Sequence, residues 1–354
     1  MTSLHDLLVG NSALYVSSTG AGPGLVQSLW RNPGSSDYLV GFNFPYSKEE
    51  LEQHLGYVPG KCFSKEVAID MAISSYIKAK TACILQKNYD KKAFGVGVTA
   101  SVASKQPHRG DHGAFIAIVS DGVFLLKSVT LEKGGGIFRR CKDNQEVEGE
   151  FLTALRAALL GIHSDDSPLL TQLMAAPVFG PQGRCLSFDT PYILPGTFNP
   201  PHEGHLGVIK GMDAVFMLEL MSPHKTPLTA VDALDRVAEL RALKASVPLV
   251  ITSGCPLFTD KSNRFPGKTF IIGSDTYHTM FETNDGIPKW GLTQEECEDV
   301  FLKNQTKFLV SPRPTLPDFN TEIFKEHTPS SGISSTKKRE DRRLAHIKKP
   351  WYLI

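Results

Sequence analysis

Residues 194–205 read Leu-Pro-Gly-Thr-Phe-Asn-Pro-Pro-His-Glu-Gly-His, and this stretch decides the fold of the C-terminal half. An apolar strand pattern ends at Leu194, and Gly196 then lets the backbone bend and approach a ligand closely. His202 and His205 are three residues apart, so both imidazoles lie on one face of the helix that they open. The succession of strand, tight loop and helix predicts an α/β unit.

The beginning of this helix is a favourable place for an anionic ligand. A helix N-terminus presents unpaired N–H groups, which attract phosphates. Two imidazoles beside it can donate hydrogen bonds to phosphate oxygens as negative charge shifts in a transition state. Taken alone, however, a His-x-x-His pair is also typical of structural packing or of a metal site.

Strands and helices alternate on both sides of this stretch. Strands are predicted at 187–194, 214–220, 248–252, 269–273 and 307–311, and helices at 202–210, 229–245 and 293–303. Such alternation predicts a mostly parallel sheet that is covered on both faces. Ligands of such folds bind beyond the carboxyl ends of the strands.

The N-terminal half has a different pattern. A helix is predicted from the N-cap Ser64 and a buried strand at 93–103. Two further strands, at 114–120 and 123–131, flank Asp121-Gly122, which is a strong hairpin signal. With a helix at 150–160, these elements predict an α/β unit with a mixed sheet.

Turn-forming residues separate the two halves. They cluster in Asp165-Asp166-Ser167-Pro168, Ala175-Ala176-Pro177 and Gly180-Pro181-Gln182-Gly183. We therefore predict a first domain at 1–165, a linker at 166–185 and a second domain at 186–354.

Composition narrows the function classes. The chain has 354 residues with 38 Lys+Arg and 37 Asp+Glu, so its net charge of +1 argues against a nucleic-acid-binding protein. Six cysteines without a Cys-x-x-Cys pair argue against a disulfide scaffold and a structural zinc site, and no metal ligands are predicted. Without a bilayer-length apolar stretch or a signal-like N-terminus, we expect a cytoplasmic protein with no membrane partner.

The sequence Gly-Thr-Phe-Asn-Pro-Pro-His-x-Gly-His resembles the nucleotide-binding motif of the nucleotidylyltransferase superfamily. Its form is closest to that of the nicotinamide/nicotinate mononucleotide adenylyltransferases. The resemblance implies a Rossmann-like domain in which His202 and His205 are catalytic. The ATP-binding residues that it implies in this stretch are Gly196, Thr197, Phe198, Asn199 and Gly204.

A second stretch, Ile-Ser-Ser-Thr-Lys-Lys-Arg at 333–339, resembles the C-terminal motif of the same family. Lys337, Lys338 or Arg339 in a first helical turn would oppose the helix dipole, and an anionic ligand would remove that conflict. The resemblance implies that Ser334, Ser335 and Thr336 bind ATP and that Arg339 is catalytic. The alternative for Arg339 is a solvated basic run.

Weaker matches extend the predicted site. Gly273 and Asp275 end a predicted strand, where the family contacts adenosine, although Asp275 could simply cap the next helix. Lys225 and Arg236 are predicted to meet the acceptor phosphate, with surface charge as the alternative. Trp290 is predicted to stack on the acceptor's ring, with a core or rim position as the alternative.

The resemblance implies transfer of AMP from ATP to a pyridine mononucleotide, which forms NAD or deamido-NAD and releases pyrophosphate. Mg²⁺ bound through the substrate phosphates is the expected cofactor. Two alternatives stay open. One is a cytidylyl- or adenylyltransferase with another phosphorylated acceptor, and the other is a non-catalytic nucleotide sensor.

Residues 17–131 resemble the C-terminal domain of the competence/damage-inducible protein family, whose bacterial members are nicotinamide-nucleotide amidases. The matching text includes Pro33-Gly34-Ser35-Ser36 and residues 63–72. The family's site falls on Thr19, Gly22, Tyr46 and Ser47. It is altered because Thr19 stands in place of the nucleophile and Leu51 in place of the family's Lys. A catalytically altered domain is therefore expected, and the resemblance alone gives the expectation of a homo-oligomer.

Overall fold

Two sheets organise the chain into two units. The computed structural model describes residues 3–105, 109–180, 183–222, 226–311 and 321–327. The first unit comprises Met1–Ala176, Gln182–Cys185 and Ala230–Ala242, and the second comprises Pro177–Pro181, Leu186–Thr229 and Leu243–Ile354. The units are therefore interleaved along the sequence.

The elements are numbered along the chain. The helices are α1 (Leu4–Leu8), α2 (Pro23–Trp30), α3 (Lys48–Leu55), α4 (Lys65–Leu85), α5 (Gly136–Leu159), α6 (Ser167–Ala175), α7 (Glu203–Val208), α8 (Ala230–Ala242), α9 (Phe258–Arg264), α10 (Ser274–Met280) and α11 (Gln294–Lys303). The strands are β1 (Ser12–Thr19), β2 (Leu39–Asn43), β3 (Lys92–Ser101), β4 (Gly113–Ser120), β5 (Val123–Thr130), β6 (Val178–Gly180), β7 (Gly183–Cys185), β8 (Tyr192–Pro195), β9 (Ala214–Glu219), β10 (Leu249–Thr252), β11 (Thr269–Gly273), β12 (Thr283–Asn284), β13 (Ile287–Pro288), β14 (Lys307–Ser311) and β15 (Phe324–Glu326). A 3₁₀ turn lies at Ser35–Asp37.

The first unit contains the predicted mixed sheet. Its strand order is β2-β1-β3-β4-β5, with β1 parallel to β2 and β3. The pairs β3–β4 and β4–β5 are antiparallel, and Val123 pairs with Ser120 across the predicted turn. The hairpin at Asp121-Gly122 is thus confirmed.

Helix α4 packs closely on strand β3 because two strand positions are glycine. A Cβ on Gly95 would collide with the backbone of Tyr76, and a Cβ on Gly97 would collide with the carbonyl of Ala68. The helix begins where the sequence predicted, since the Ser64 hydroxyl accepts the Val67 N–H at 3.3 Å. Glycine is therefore needed at both positions for the strand and helix to touch.

The second unit contains a mostly parallel sheet, as predicted. Its strands run in the order β15-β14-β11-β8-β9-β10-β6. Neighbours from β15 to β10 are parallel, and β6 is antiparallel to β10. The core beneath the sheet is made of buried apolar side chains such as Ile193, Val215, Phe270 and Phe308.

Several elements differ from the sequence predictions. Helix α5 begins at Gly136 rather than at residue 150, because ion pairs such as Arg139–Asp143 support a first half with little apolar periodicity. The strand predicted at 187–194 is shortened to β8, which follows Pro191. The segment 166–185 contains α6, β6 and β7, so its turn formers bound short elements.

Within the described residues, no helix combines the length and apolar composition that a bilayer crossing requires.

A buried ion pair ties distant segments of the first unit together. Asp70 and Arg184 are 1% and 5% exposed, and their side chains are directly paired. Tyr57 and Gln172 also donate to the Asp70 carboxylate. Burial raises the pKa of Asp70, while Arg184 and the hydrogen bonds oppose that rise. The carboxylate therefore depends on its cation to stay charged inside the protein.

Replacing Arg184 with Met should cost about 3–5 kcal/mol of unfolding free energy at neutral pH, because Asp70 would remain buried without its cation. This loss of unfolding free energy should shrink as pH falls. The raised pKa means that Asp70 binds a proton more tightly in the folded state than in the unfolded state, so protonation stabilises the folded variant. Urea unfolding between pH 7.5 and pH 4.5 measures both effects.

The matched control is Lys48→Met, which removes an exposed partner of Glu52 on α3. It should change stability by less than about 0.5 kcal/mol. An Arg184→Met variant as stable as this control would contradict a supporting role for the buried pair.

Candidate functional site

A cavity of about 400 Å³ opens at the carboxyl edge of the second sheet. Its walls come from the segments after β8, β9 and β10 and from helices α9, α10 and α11. Four of the predicted site residues line it, namely Gly196, Thr197, Asp275 and Trp290. The edge is the one at which ligands of parallel α/β sheets bind.

The two predicted histidines lie together directly after this edge. His202 caps α7 and is 4% exposed, while His205 is half-buried in the helix's first turn. Their rings are stacked, with centroids 3.9 Å apart and planes inclined by 27°. The structure therefore brings the two rings together, although neither is among the residues that line the cavity.

Backbone hydrogen bonds fix the tautomer of both rings. The Gly204 N–H donates to His202 Nδ1 at 3.1 Å, and the His202 N–H donates to His205 Nδ1 at 3.2 Å. Because each Nδ1 accepts a proton donor, the proton of each neutral imidazole is on Nε2. Both rings are thereby set to donate hydrogen bonds from Nε2.

Phe198 supports this arrangement from below. Its side chain is 1% exposed and packs on His205 and on Phe216 of β9, with centroids 5.1 Å and 4.8 Å away. A Cβ on Gly196 would come to 3.0 Å from the Phe198 ring, which explains glycine at that position. The predicted contact of Phe198 with ATP therefore has no exposed side chain to make it.

The other predicted ATP-binding residues in the described part have distinct surroundings. Asn199 is exposed, and Gly204 is buried with its N–H committed to His202. Gly273 ends β11, and Asp275 is exposed in the first turn of α10. Of these, only Asp275 lines the cavity in the described part of the chain.

For six predicted residues the position relative to this cavity stays a prediction. Lys225, Ser334, Ser335, Thr336 and Arg339 lie outside the described residues. Arg236 belongs to α8 in the first unit, where its Nη1 is 3.3 Å from Glu239 Oε2. The predicted acceptor contact of Arg236 therefore stays a prediction.

Trp290 forms one wall of the cavity. The indole is half-buried, and its Nε1 donates to the Thr279 carbonyl at 3.0 Å. The Lys289 ammonium lies 5.1 Å from the ring centroid. These contacts hold the ring in place, as a stacking platform requires.

Two charged residues of the cavity, Glu219 and Lys261, are not among those predicted from the sequence. Both are buried and both line the cavity. Glu219 ends β9, so a carboxylate at the end of a parallel strand was a signal that could have identified it. Lys261 lies on α9, a short and polar helix whose sequence gives no periodic signal.

Cys255 is held beside Glu219, with Sγ 3.0 Å from the Glu219 carboxylate. Burial raises the pKa of the Cys255 thiol to about 11, and the nearby carboxylate adds to the rise. The same hydrogen bond, with backbone N–H donors, lowers the pKa of Glu219 against the effect of burial. Glu219 is thus a charged, fully bonded carboxylate and Cys255 a protonated thiol.

The first unit has a second cavity, of about 320 Å³, where the altered amidase site was predicted. Tyr46 lines it, together with Arg140 and Asn144 of α5. The Thr19 hydroxyl is buried and donates to the Pro45 carbonyl at 2.8 Å. The hydroxyl at the family's nucleophile position is therefore engaged with the backbone.

The other two predicted residues of that site have structural contacts. Gly22 has φ +115° at the start of α2, and its N–H donates to Asn144 Oδ1 at 3.3 Å. Ser47 caps α3 by accepting the Glu50 N–H. Across the described part of either unit, no group of three or more His, Cys, Asp or Glu is placed to hold a metal ion.

Comparison with known proteins gives the C-terminal half its class. Residues 193–341 match the cytidylyltransferase-like family model. The match covers less than half of the chain and identifies this part as a nucleotidyltransferase-like domain. No curated protein matches the chain.

Solved structures of competence/damage-inducible (CinA) proteins are similar to the N-terminal half. The protein from Enterobacter asburiae is 15% identical at a TM-score of 0.31, over 46% of this chain and 99% of that one. The protein from Agrobacterium tumefaciens is 17% identical at a TM-score of 0.30, over 42% and 86%. The family match confirms the predicted nucleotidyltransferase-like resemblance of the C-terminal half.

The environment of Cys255 predicts a thiol that resists alkylation. At pH 8 the exposed Cys62, Cys141 and Cys185 should react with iodoacetamide at least tenfold faster than Cys255, because thiolate is the reactive form. The Cys255 rate should rise as pH approaches 11. Peptide-resolved mass spectrometry measures each rate, and equal rates for Cys255 and Cys141 would show that the thiol is not shielded.

Proposed function

We propose that the second unit is a nucleotidyltransferase that transfers AMP from ATP to a pyridine mononucleotide, forming NAD or deamido-NAD. The observation that carries the proposal is the stacked His202–His205 pair, whose Nδ1 atoms are occupied by backbone donors. Both rings can therefore donate from Nε2 to phosphate oxygens without first changing tautomer. The family match over 193–341 supports the reaction class.

The reaction needs positioning more than acid–base chemistry. An acceptor phosphate oxygen attacks the α-phosphorus of ATP in line, and a new P–O bond forms. The bond to the bridging α–β oxygen breaks, and pyrophosphate leaves with the electron pair. The acceptor phosphate is already ionised at neutral pH, so no protein base is required. His202 and His205 would stabilise the charge that moves onto the triphosphate.

The cavity supports an aromatic acceptor. Its wall includes Trp290 together with apolar side chains such as Phe258 and Phe301. A flat aromatic ring would stack on the indole and would be removed from water when it binds. The acceptor contact of Trp290 is part of the proposal, as is that of Lys225.

Mg²⁺ is part of the proposal as a cofactor carried by the substrate. The carboxylates that line the cavity are Asp275, which is exposed, and Glu219, whose oxygens already accept protein hydrogen bonds. This donor set suits an ion that is held mainly by phosphate oxygens. When bound, the ion would neutralise charge on the departing pyrophosphate.

Purified protein should release pyrophosphate from ATP in the presence of Mg²⁺ and nicotinamide or nicotinate mononucleotide. The dinucleotide product should be identified by its mass. Phosphopantetheine, and CTP with phosphorylated alcohols, complete the panel. Replacing His205 with Ala should lower kcat at least 100-fold, since it removes a donor that acts on moving charge.

The control for that variant is His278→Ala, which changes an exposed histidine on α10. It should leave turnover within twofold of the parent. Pyrophosphate release only from CTP with a phosphorylated alcohol would contradict the proposed substrates and would identify a cytidylyltransferase instead. ATP binding without release across the panel would instead favour a nucleotide sensor.

A separate observation favours a binding function for the first unit. Arg140 lines its cavity, where Nη2 is 3.1 Å from the Tyr46 hydroxyl and Nη1 donates to the Ala103 carbonyl. Among the ion pairs between described residues, none involves Arg140. A guanidinium held in this way suits a phosphate. We infer that this cavity binds a mononucleotide without hydrolysing it.

Calorimetry of the full-length protein with nicotinamide mononucleotide, without ATP, should show two sites per chain. The Arg140→Met variant should retain one of them. Lys142→Met, an exposed cation on the same helix, should retain both. A single site in the parent protein would contradict the inference for the first unit.

A further inference from the structure

The cavity wall between β10 and α9 is a short loop with an unusual backbone. Gly254 has φ +87°, a conformation that favours glycine. This turn directs the N–H groups of Gly254 and Cys255 toward the carboxylate of Glu219. The next two residues, Pro256 and Leu257, line the cavity.

Glu219 holds this loop by accepting hydrogen bonds from the loop's N–H and S–H groups. One carboxylate oxygen accepts from the N–H of Met221 at 3.0 Å and of Gly254 at 3.1 Å. The other accepts from the N–H of Cys255 at 3.3 Å and from its thiol at 3.0 Å. All four donors belong to backbone or thiol groups next to the cavity, so the carboxylate is occupied as an acceptor.

Lys261 holds the same loop by donating hydrogen bonds to the loop's carbonyl groups. Its side chain is buried, and Nζ donates to the carbonyls of Cys255 at 2.7 Å and Pro256 at 2.6 Å. The ammonium also lies 5.2 Å from the centroid of the Phe258 ring. Cys255 is thus bound through its N–H and thiol by an anion and through its carbonyl by a cation.

Two buried charges are costly unless their hydrogen bonds are satisfied, and here the loop backbone satisfies both. If either charge were lost, the loop would lose one half of its support while the other charge stayed buried. The position of Pro256 and Leu257 in the cavity wall therefore depends on both side chains.

We propose that Glu219 and Lys261 are positioning residues, which clamp the loop 254–257 and thereby shape the pocket for the acceptor mononucleotide. The pocket's occupant rests on the proposed function, whereas the clamp itself does not. Both residues act through the loop, because Glu219 accepts from the N–H groups of Gly254 and Cys255 and Lys261 donates to two loop carbonyls.

The first experiment measures the clamp without any turnover. Iodoacetamide labelling of Cys255 is followed at pH 8 in Glu219→Gln and Lys261→Met variants of the full chain. In both, labelling should accelerate at least tenfold, because the released loop exposes the thiol. Burial is the main cause of the high pKa of Cys255, but Glu219 raises that pKa further whereas Lys261 lowers it. Faster labelling of Lys261→Met therefore reports loop opening, because loss of that cation alone would raise the thiol's pKa and slow the reaction.

The controls are Glu326→Gln on β15 and Lys307→Met on β14, which change exposed charges of the same unit. Neither should alter the labelling rate. An unchanged rate in Lys261→Met would overturn the clamp. Should Glu219→Gln not fold, Glu219→Asp keeps the charge and should give an intermediate rate, and a parental rate would count against the clamp.

The second experiment separates positioning from chemistry. The acceptor's KM should rise about tenfold in Lys261→Met, while kcat and the KM for ATP stay within twofold. Lys261→Arg should recover at least half of the change on a logarithmic scale. A lower kcat at unchanged acceptor KM would overturn the positioning role. If the parent protein turns over no acceptor, the proposed function fails, and the labelling experiment still decides the clamp.

Discussion

Parallel pairing in the second sheet is the constraint on which the candidate site depends. Because β8, β9, β10 and β11 run in the same direction, their carboxyl ends meet at one edge. Residues far apart in the sequence, such as Gly196, Glu219 and Asp275, thereby line one cavity. The loops that follow the strands supply the chemistry, and the sheet supplies their common position.

The site is organised mainly by backbone groups. Main-chain N–H donors set both imidazoles, and main-chain donors and acceptors surround Glu219 and Lys261. Phe198 fills the space beneath the histidines and is itself wedged between His205 and Phe216. Such a site has little to rearrange when a substrate arrives, which is the condition for electrostatic stabilisation by fixed donors.

Structural features that depend on neighbouring residues were predicted correctly from local sequence patterns. Strands β11 and β14 have the predicted bounds, and the hairpin at Asp121-Gly122 and the N-cap Ser64 are where the sequence put them. The histidine pair was also accessible, since its spacing and its glycines lie within one short stretch.

Contacts between distant residues could not be read in the same way. Asp70 and Arg184 are 114 residues apart, and nothing near either one indicates the partner. Lys261 meets the loop carbonyls only because a short, polar helix turns it inward, and such a helix has no periodic signature. Helix α5 was predicted too short for a related reason. Its first half is supported by pairs of opposite charges and has little apolar periodicity.

The interleaving of the two units has a consequence for synthesis on the ribosome. The first unit takes its last helix, Ala230–Ala242, from a part of the chain that follows β8 and β9 of the second unit. Folding of whole units from the N-terminus onward therefore cannot finish the first unit before residue 242 has left the exit tunnel. By then two central strands of the second unit are already present. During this interval the first sheet has all of its strands but not its last helix, while β8 and β9 still lack their partners β10 and β11. A ribosome pause after residue 242 would favour completion of the first unit.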